Sequence, residues 1–138
     1  MRITLVSSCG LVLEAEGRTL LVDALNKQFR CYYGLPPETF SQMLAGEPPY
    51  DALCGILCTH AHPDHYNALR TRQLQAASGA PVFVPQPQTP PQLALQFGPF
   101  SVEYHQFAHT PVPGWDAITH GVYSVSYTHL RAHETCAD

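Results

Sequence analysis

The feature that most restricts this chain lies between Ala52 and Ser78. The run Ala52 to Cys58 is apolar at nearly every position, ends at Thr59, and passes directly into His60-Ala61-His62-Pro63-Asp64-His65. A continuous short apolar run reads as a strand buried on both faces. Asn67 to Ser78 then reads as a helix: Asn67 can cap it, Leu69, Leu74 and Ala77 mark an apolar stripe, and Gly79 stops it. A strand leading to a helix through a polar turn is an α/β unit. Side chains on that turn are fixed by the rigid strand that precedes them.

Those side chains are metal ligands by type. Neutral imidazoles and a carboxylate suit zinc, and similar sets accept manganese or iron. In an extended turn residues two apart point the same way, so His60 and His62 can grip one ion. Asp64 and His65 then face a second position beside it. A loop site leaves coordination open for water and substrate, as catalysis requires. The bland alternative is a chance meeting of histidines in a chain that has eight. Placement between a buried strand and a capped helix argues against it.

The rest of the chain supplies a frame. Ile3 to Val6 is a short β-rich run, and Leu11 to Glu16 with Thr19 to Asp23 reads as a hairpin turning at Gly17. Ala24 to Tyr50 is a long connection in which Glu38 to Ala45 forms a short helix, with Pro37 near its start and Gly46 past its end. Pro81 to Val84 is a short strand, 85–92 a stiff proline-rich loop, Phe100 to Phe107 a strand, and Val122 to Ser124 the start of another. Strands, then a βα unit, then strands suit an α/β sandwich.

Composition narrows the function. A length of 138 residues is enough for one domain. The net charge of −4 gives no basic footprint for nucleic acid. No apolar run is long enough to span a membrane, and MRITLVSSCG reads as a strand start rather than a signal peptide. The five cysteines are odd in number and lack metal-type CxxC spacing. Cys54 and Cys58 share a strand face at period two, too far apart to bridge, and read as small core hydrophobes. The expected compartment is the reducing cytoplasm.

With the motif, the strand before it and Asp23 at the end of the hairpin, residues 1–124 resemble the metallo-β-lactamase superfamily. The resemblance implies an α/β fold, the N-terminal half of an αββα sandwich, with Asp23 supporting the metal loop from behind. It implies a later histidine ligand, best matched by His109 in Phe107-Ala108-His109-Thr110-Pro111, with His105 as the alternative. His120 is expected in a loop or at a strand start, without a role. The implied ligands are therefore His60, His62, Asp64, His65 and His109, holding one or two zinc ions, or manganese or iron. The implied activity is hydrolysis of a small ester, lactone or phosphodiester by hydroxide on the metal, with Asp64 holding that hydroxide and shuttling its proton. The partner is then a small molecule rather than nucleic acid or membrane.

The C-terminal stretch stands apart. Val125 to Thr135 resembles one translated frame of a transposon-type sequencing adapter, so 125–138 is expected to be non-native. Leaving out Arg131, Glu134 and Asp138 changes the net charge from −4 to −3. On this reading the second half of the sandwich is absent, together with the aspartate and last histidine that the family resemblance places there. The first sheet is expected to lack its covering layer. The competing readings are a truncated chain without function and a metal-binding domain without catalysis.

Overall fold

The computed structural model describes residues 1–108, 113 and 118–127. Five strands form the first sheet: β1 (Arg2–Leu5), β2 (Leu11–Ala15), β3 (Arg18–Val22), β4 (Leu53–Leu57) and β5 (Val82–Phe83), in that spatial order. β1, β2 and β3 are antiparallel, whereas β3, β4 and β5 are parallel. Parallel neighbours need crossover connections, and two helices lie on them: α1 (Pro37–Leu44) before β4 and α2 (Ala68–Ser78) before β5. The β2–β3 hairpin turns on Glu16 and Gly17, whose φ values of 51° and 72° give the two left-handed residues of a type I′ turn. At α2 the expected signals operate. The Asn67 side chain accepts from Arg70 N at 2.9 Å, and Gly79 closes the helix with φ 72°.

The second sheet is β6 (Gln92–Phe97), β7 (Phe100–Gln106) and β8 (Gly121–Tyr127), antiparallel throughout. Alternation in the first sheet sends side chains to both of its faces. Val12, Leu21 and Ile56 pack under Phe40, Met43 and Leu74 of the helices. Leu13, Leu20 and Leu57 meet Phe97, Phe100 and Val102 of the second sheet. The result is three layers, helix on sheet on sheet. At Gly55 the sheets press close together, because a Cβ there would lie 2.6 Å from the Phe97 ring and 2.7 Å from Leu20.

Three expectations need correction. The proline-rich loop does not run through residue 92, because β6 begins at Gln92. Its alternation turns Leu93, Leu95 and Phe97 inward and Gln92, Ala94 and Gln96 outward. The β6–β7 hairpin and β8 cover the face that was expected to be bare. Among the described residues, Ile3 and Leu5 of β1 stay 60% and 67% exposed. Cys54 and Cys58 do not share one environment either. The β3–β4 register slips between Thr19 and Leu20. Cys54 packs between the sheets, whereas the Cys58 thiol donates to the carbonyl of His60 at 2.8 Å. β8 continues past Ser124, and its Val125 and Tyr127 pack on the inter-sheet core.

Candidate metal centre

The motif loop hangs from one carboxylate. Asp23 directly follows β3 with φ 50°, a left-handed conformation that aspartate tolerates. Its N–H donates to Leu57 O at 3.0 Å, which sets it beside the end of β4. Buried there, Asp23 accepts from the Thr59 backbone N–H at 2.7 Å, from the Thr59 hydroxyl at 2.7 Å and from His65 Nδ1 at 2.8 Å. Within the loop, the N–H groups of His65 and Tyr66 both donate to the carbonyl of His62 at 2.9 Å.

These contacts assign two histidine tautomers. A carboxylate only accepts, so His65 carries its proton on Nδ1. The Thr59 hydroxyl has one proton, which it gives to Asp23. At 2.9 Å from His60 Nδ1 it must therefore accept, so His60 is also protonated on Nδ1. Both rings keep Nε2 as a lone-pair donor. That is how outer partners prepare imidazoles for a metal.

His120 completes the buried group. Gly121 N–H donates to Thr59 O at 2.9 Å, and Phe107 N–H donates to His120 O at 3.2 Å. The Tyr123 hydroxyl donates to the carbonyl of Cys58. These bonds pin the start of β8 to the motif loop. Gly121 is required because a Cβ would fall 2.0 Å from the Tyr104 ring. His60, His62 and His120 are all buried, each offering a nitrogen within 4.8 Å of the others. The His60 ring centroid lies 4.6 Å from that of His62 and 4.4 Å from that of His120. Asp64 and His65 lie to one side of this trio, with His65 Nε2 at 3.4 Å from the Asp64 carboxylate.

The structure thus brings His60, His62, Asp64 and His65 together, as their spacing suggested. It corrects the reading of His120, which directly precedes β8 but stands in the cluster. His105 projects from the outer face of β7 toward Glu103, at 3.5 Å, away from the motif loop. His109 lies outside the described residues. No local signal sets His120 apart, because the contacts that bring it to the cluster are long-range.

Electrostatics follow from the same contacts. Burial pushes His65 down, but its hydrogen bond to Asp23 and the charges of Asp23 and Asp64 outweigh this and leave it raised. Burial, then the charges of Asp64 and Asp23, push the Cys9 thiol up. Burial, chiefly, holds the Cys58 thiol well above its ordinary value. A cleft of about 470 Å³ opens beside His60 and His65, walled by Leu11, Phe107, Val122 and Tyr123.

Residues 18–138 match the model of a β-lactamase superfamily domain. The chain belongs to the β-lactamase superfamily. The fold agrees with solved members. A metallo-β-lactamase HARLDQ-motif protein of Cronobacter sakazakii superposes with a TM-score of 0.54 at 14% identity, over 88% of this chain and 52% of that one. The metallo-β-lactamase fold protein YhfI of Bacillus subtilis gives 0.52 at 18%, over 90% and 57%. The short form of human tRNase Z gives 0.52 at 16%, over 92% and 65%. The chain therefore spans between half and two thirds of these structures. No curated protein matches it. Superfamily members are typically hydrolases and generally bind metal ions. The donor set here fits such an ion: three buried imidazoles converge, and a carboxylate fixes the tautomer of one of them through Thr59.

Proposed function

We propose that the chain carries the metal centre of a hydrolase that cleaves a small ester, lactone or phosphodiester. The convergence of His60, His62 and His120 from two distant stretches of chain carries this reading. These three residues would hold one ion, with Asp64 and His65 offering donors for a second. Zinc suits the imidazoles best, with manganese or iron as alternatives. When bound, such an ion eases the ionisation of water near neutral pH and polarises the acyl or phosphoryl oxygen under attack.

The chain's own residues do the rest. Asp64, half-buried beside His65, accepts a hydrogen bond from the attacking water and takes its proton. Asp23 and Thr59 keep His60 and His65 in their ligating tautomers. Leu11, Phe107, Val122 and Tyr123 give the cleft apolar walls for the uncharged body of a small substrate. A net charge of −4 favours such a substrate over a polyanion. No helix among the described residues is long and apolar enough to cross a membrane. Cys9, Cys31, Cys54 and Cys58 are free thiols, in keeping with a cytoplasmic site of action.

Metal content by atomic emission, alongside hydrolysis of a nitrophenyl phosphodiester and a simple lactone, tests the proposal. His60→Ala, His62→Ala and His120→Ala should each lower bound zinc relative to the parent chain. His105→Ala should not. Unchanged stoichiometry in all three cluster variants would overturn the assignment. Full zinc binding with neither substrate cleaved would overturn the hydrolase reading and leave a binding domain.

A further inference from the structure

A second group of donors sits beside the histidine trio. Cys9, Asp64 and His65 each place one ligand atom within 4.8 Å of the other two, and all three are half-buried. Cys9 comes from the β1–β2 loop, far in sequence from the motif. That loop is held rigidly. Val6 N–H donates to Gly10 O at 2.8 Å, and Gly10 N–H donates to the Ser7 hydroxyl at 2.9 Å. Ser7 in turn donates to the Asn26 side chain at 3.0 Å, and Ser8 exchanges hydrogen bonds with Tyr33 on both its N–H and its hydroxyl. Gly10 is seated so closely on the end of β3 that a Cβ would lie 2.9 Å from Ala24 Cα and 3.0 Å from the carbonyl of Asp23. The backbone next to Cys9 is thus fixed against the residue that orients His65. With Nδ1 committed to Asp23, His65 presents Nε2 toward Asp64.

We propose that Cys9 is a direct ligand of a second cation, which it would hold together with Asp64 and His65. The proposal rests on the metal-centre reading above. Sulfur, oxygen and nitrogen donors separated by less than 4.8 Å can surround one ion at about 2.0–2.3 Å after small side-chain adjustments. A thiolate donor selects a borderline-soft divalent ion of the zinc or cobalt type over manganese or magnesium. This position therefore differs in metal preference from the trio of imidazoles next to it. Binding releases the thiol proton to solvent and forms the metal–sulfur bond, with no change of oxidation state.

Cobalt(II) titration of the full chain under reducing conditions tests this. Sulfur-to-cobalt charge transfer in the near ultraviolet should grow with bound metal, disappear in Cys9→Ser and persist in Cys31→Ser. Cys9→Ser should also weaken the second equivalent of zinc by more than about 100-fold, since losing a direct donor exceeds the 10–100-fold cost of losing an outer partner. His62→Ala should keep the sulfur band and weaken the imidazole site instead. As a check independent of any substitution, zinc should slow alkylation of Cys9 in the parent chain, while exposed Cys31 reacts at an unchanged rate. Cobalt binding without a Cys9-dependent band, or Cys9 alkylation indifferent to zinc, would overturn the proposal and leave the three-histidine reading standing. Failure to bind either metal at all would overturn both.

Discussion

Asp23→Asn is the most informative single change, because it alters proton positions with almost no change in shape. Asparagine also tolerates the φ of 50° at this residue. Asp23 now accepts three hydrogen bonds, from the Thr59 N–H, the Thr59 hydroxyl and His65 Nδ1. An amide has one accepting oxygen and a donating NH2. The oxygen can stay on the Thr59 N–H, which places the NH2 against the hydroxyl and the imidazole. The Thr59 hydroxyl must then turn and donate to His60 Nδ1, moving that ring's proton to Nε2. His65 must do likewise. Two candidate ligands thus switch to tautomers that present N–H where a lone pair is needed. The contacts among residue 23, Thr59, His60 Nδ1 and His65 Nδ1 all stay paired, so the metal-free fold should lose at most about 1–3 kcal/mol, the range for perturbing one buried polar group. Metal affinity should fall by about 10–100-fold, as expected when an outer partner of a ligating histidine is removed. Competition titration against a chelator measures the affinity, and ring-nitrogen NMR of the metal-free protein reads both tautomers. Unchanged affinity, or His60 and His65 still protonated on Nδ1 in Asp23→Asn, would refute the reasoning.

Two further outcomes follow from the same contacts. Gly121→Ala places a methyl group where the Tyr104 ring lies 2.0 Å away, so overpacking should cost about 1–3 kcal/mol in chemical denaturation and displace His120, with weakened zinc binding; a variant as stable and as metal-competent as its parent would contradict the packing argument. In the metal-free protein His65 should titrate above the usual histidine value of about 6.5. Its raised pKa contributes stability that is fully present below about pH 6.5 and is lost as pH rises through the folded-state value. NMR titration checks the direction, and a His65 value below 6.5 would show that burial outweighs Asp23.

What could be read from the sequence was what is local in the chain. The strand before the motif, the cap at Asn67 and the stop at Gly79 each act over a few residues, and α2 occupies Ala68–Ser78 between those two signals. The candidate donors His60, His62, Asp64 and His65 stand close together in the chain and could be nominated for the same reason. β6 was hidden by the prolines before it and by outward Gln92, Ala94 and Gln96, which dilute its apolar side. His105 could have been placed with more care. Phe100, Val102 and Tyr104 alternate as the buried side of β7, which puts His105 on the opposite face. His120 and Cys9 were beyond local reading. One reaches the site through the Gly121–Thr59 hydrogen bond and the other through a turn seated on Asp23 and Ala24, both long-range contacts with no periodic trace. Asp23 joins the two kinds of information. A strand-ending aspartate is an ordinary turn residue in one dimension. In three it accepts from the loop after β4 and borders the loop after β1, so a single carboxylate registers the histidines and the cysteine against each other. A centre assembled this way depends on the β3 terminus as much as on its ligands, which is why Asp23, rather than any histidine, is where the fold and the chemistry can be tested together.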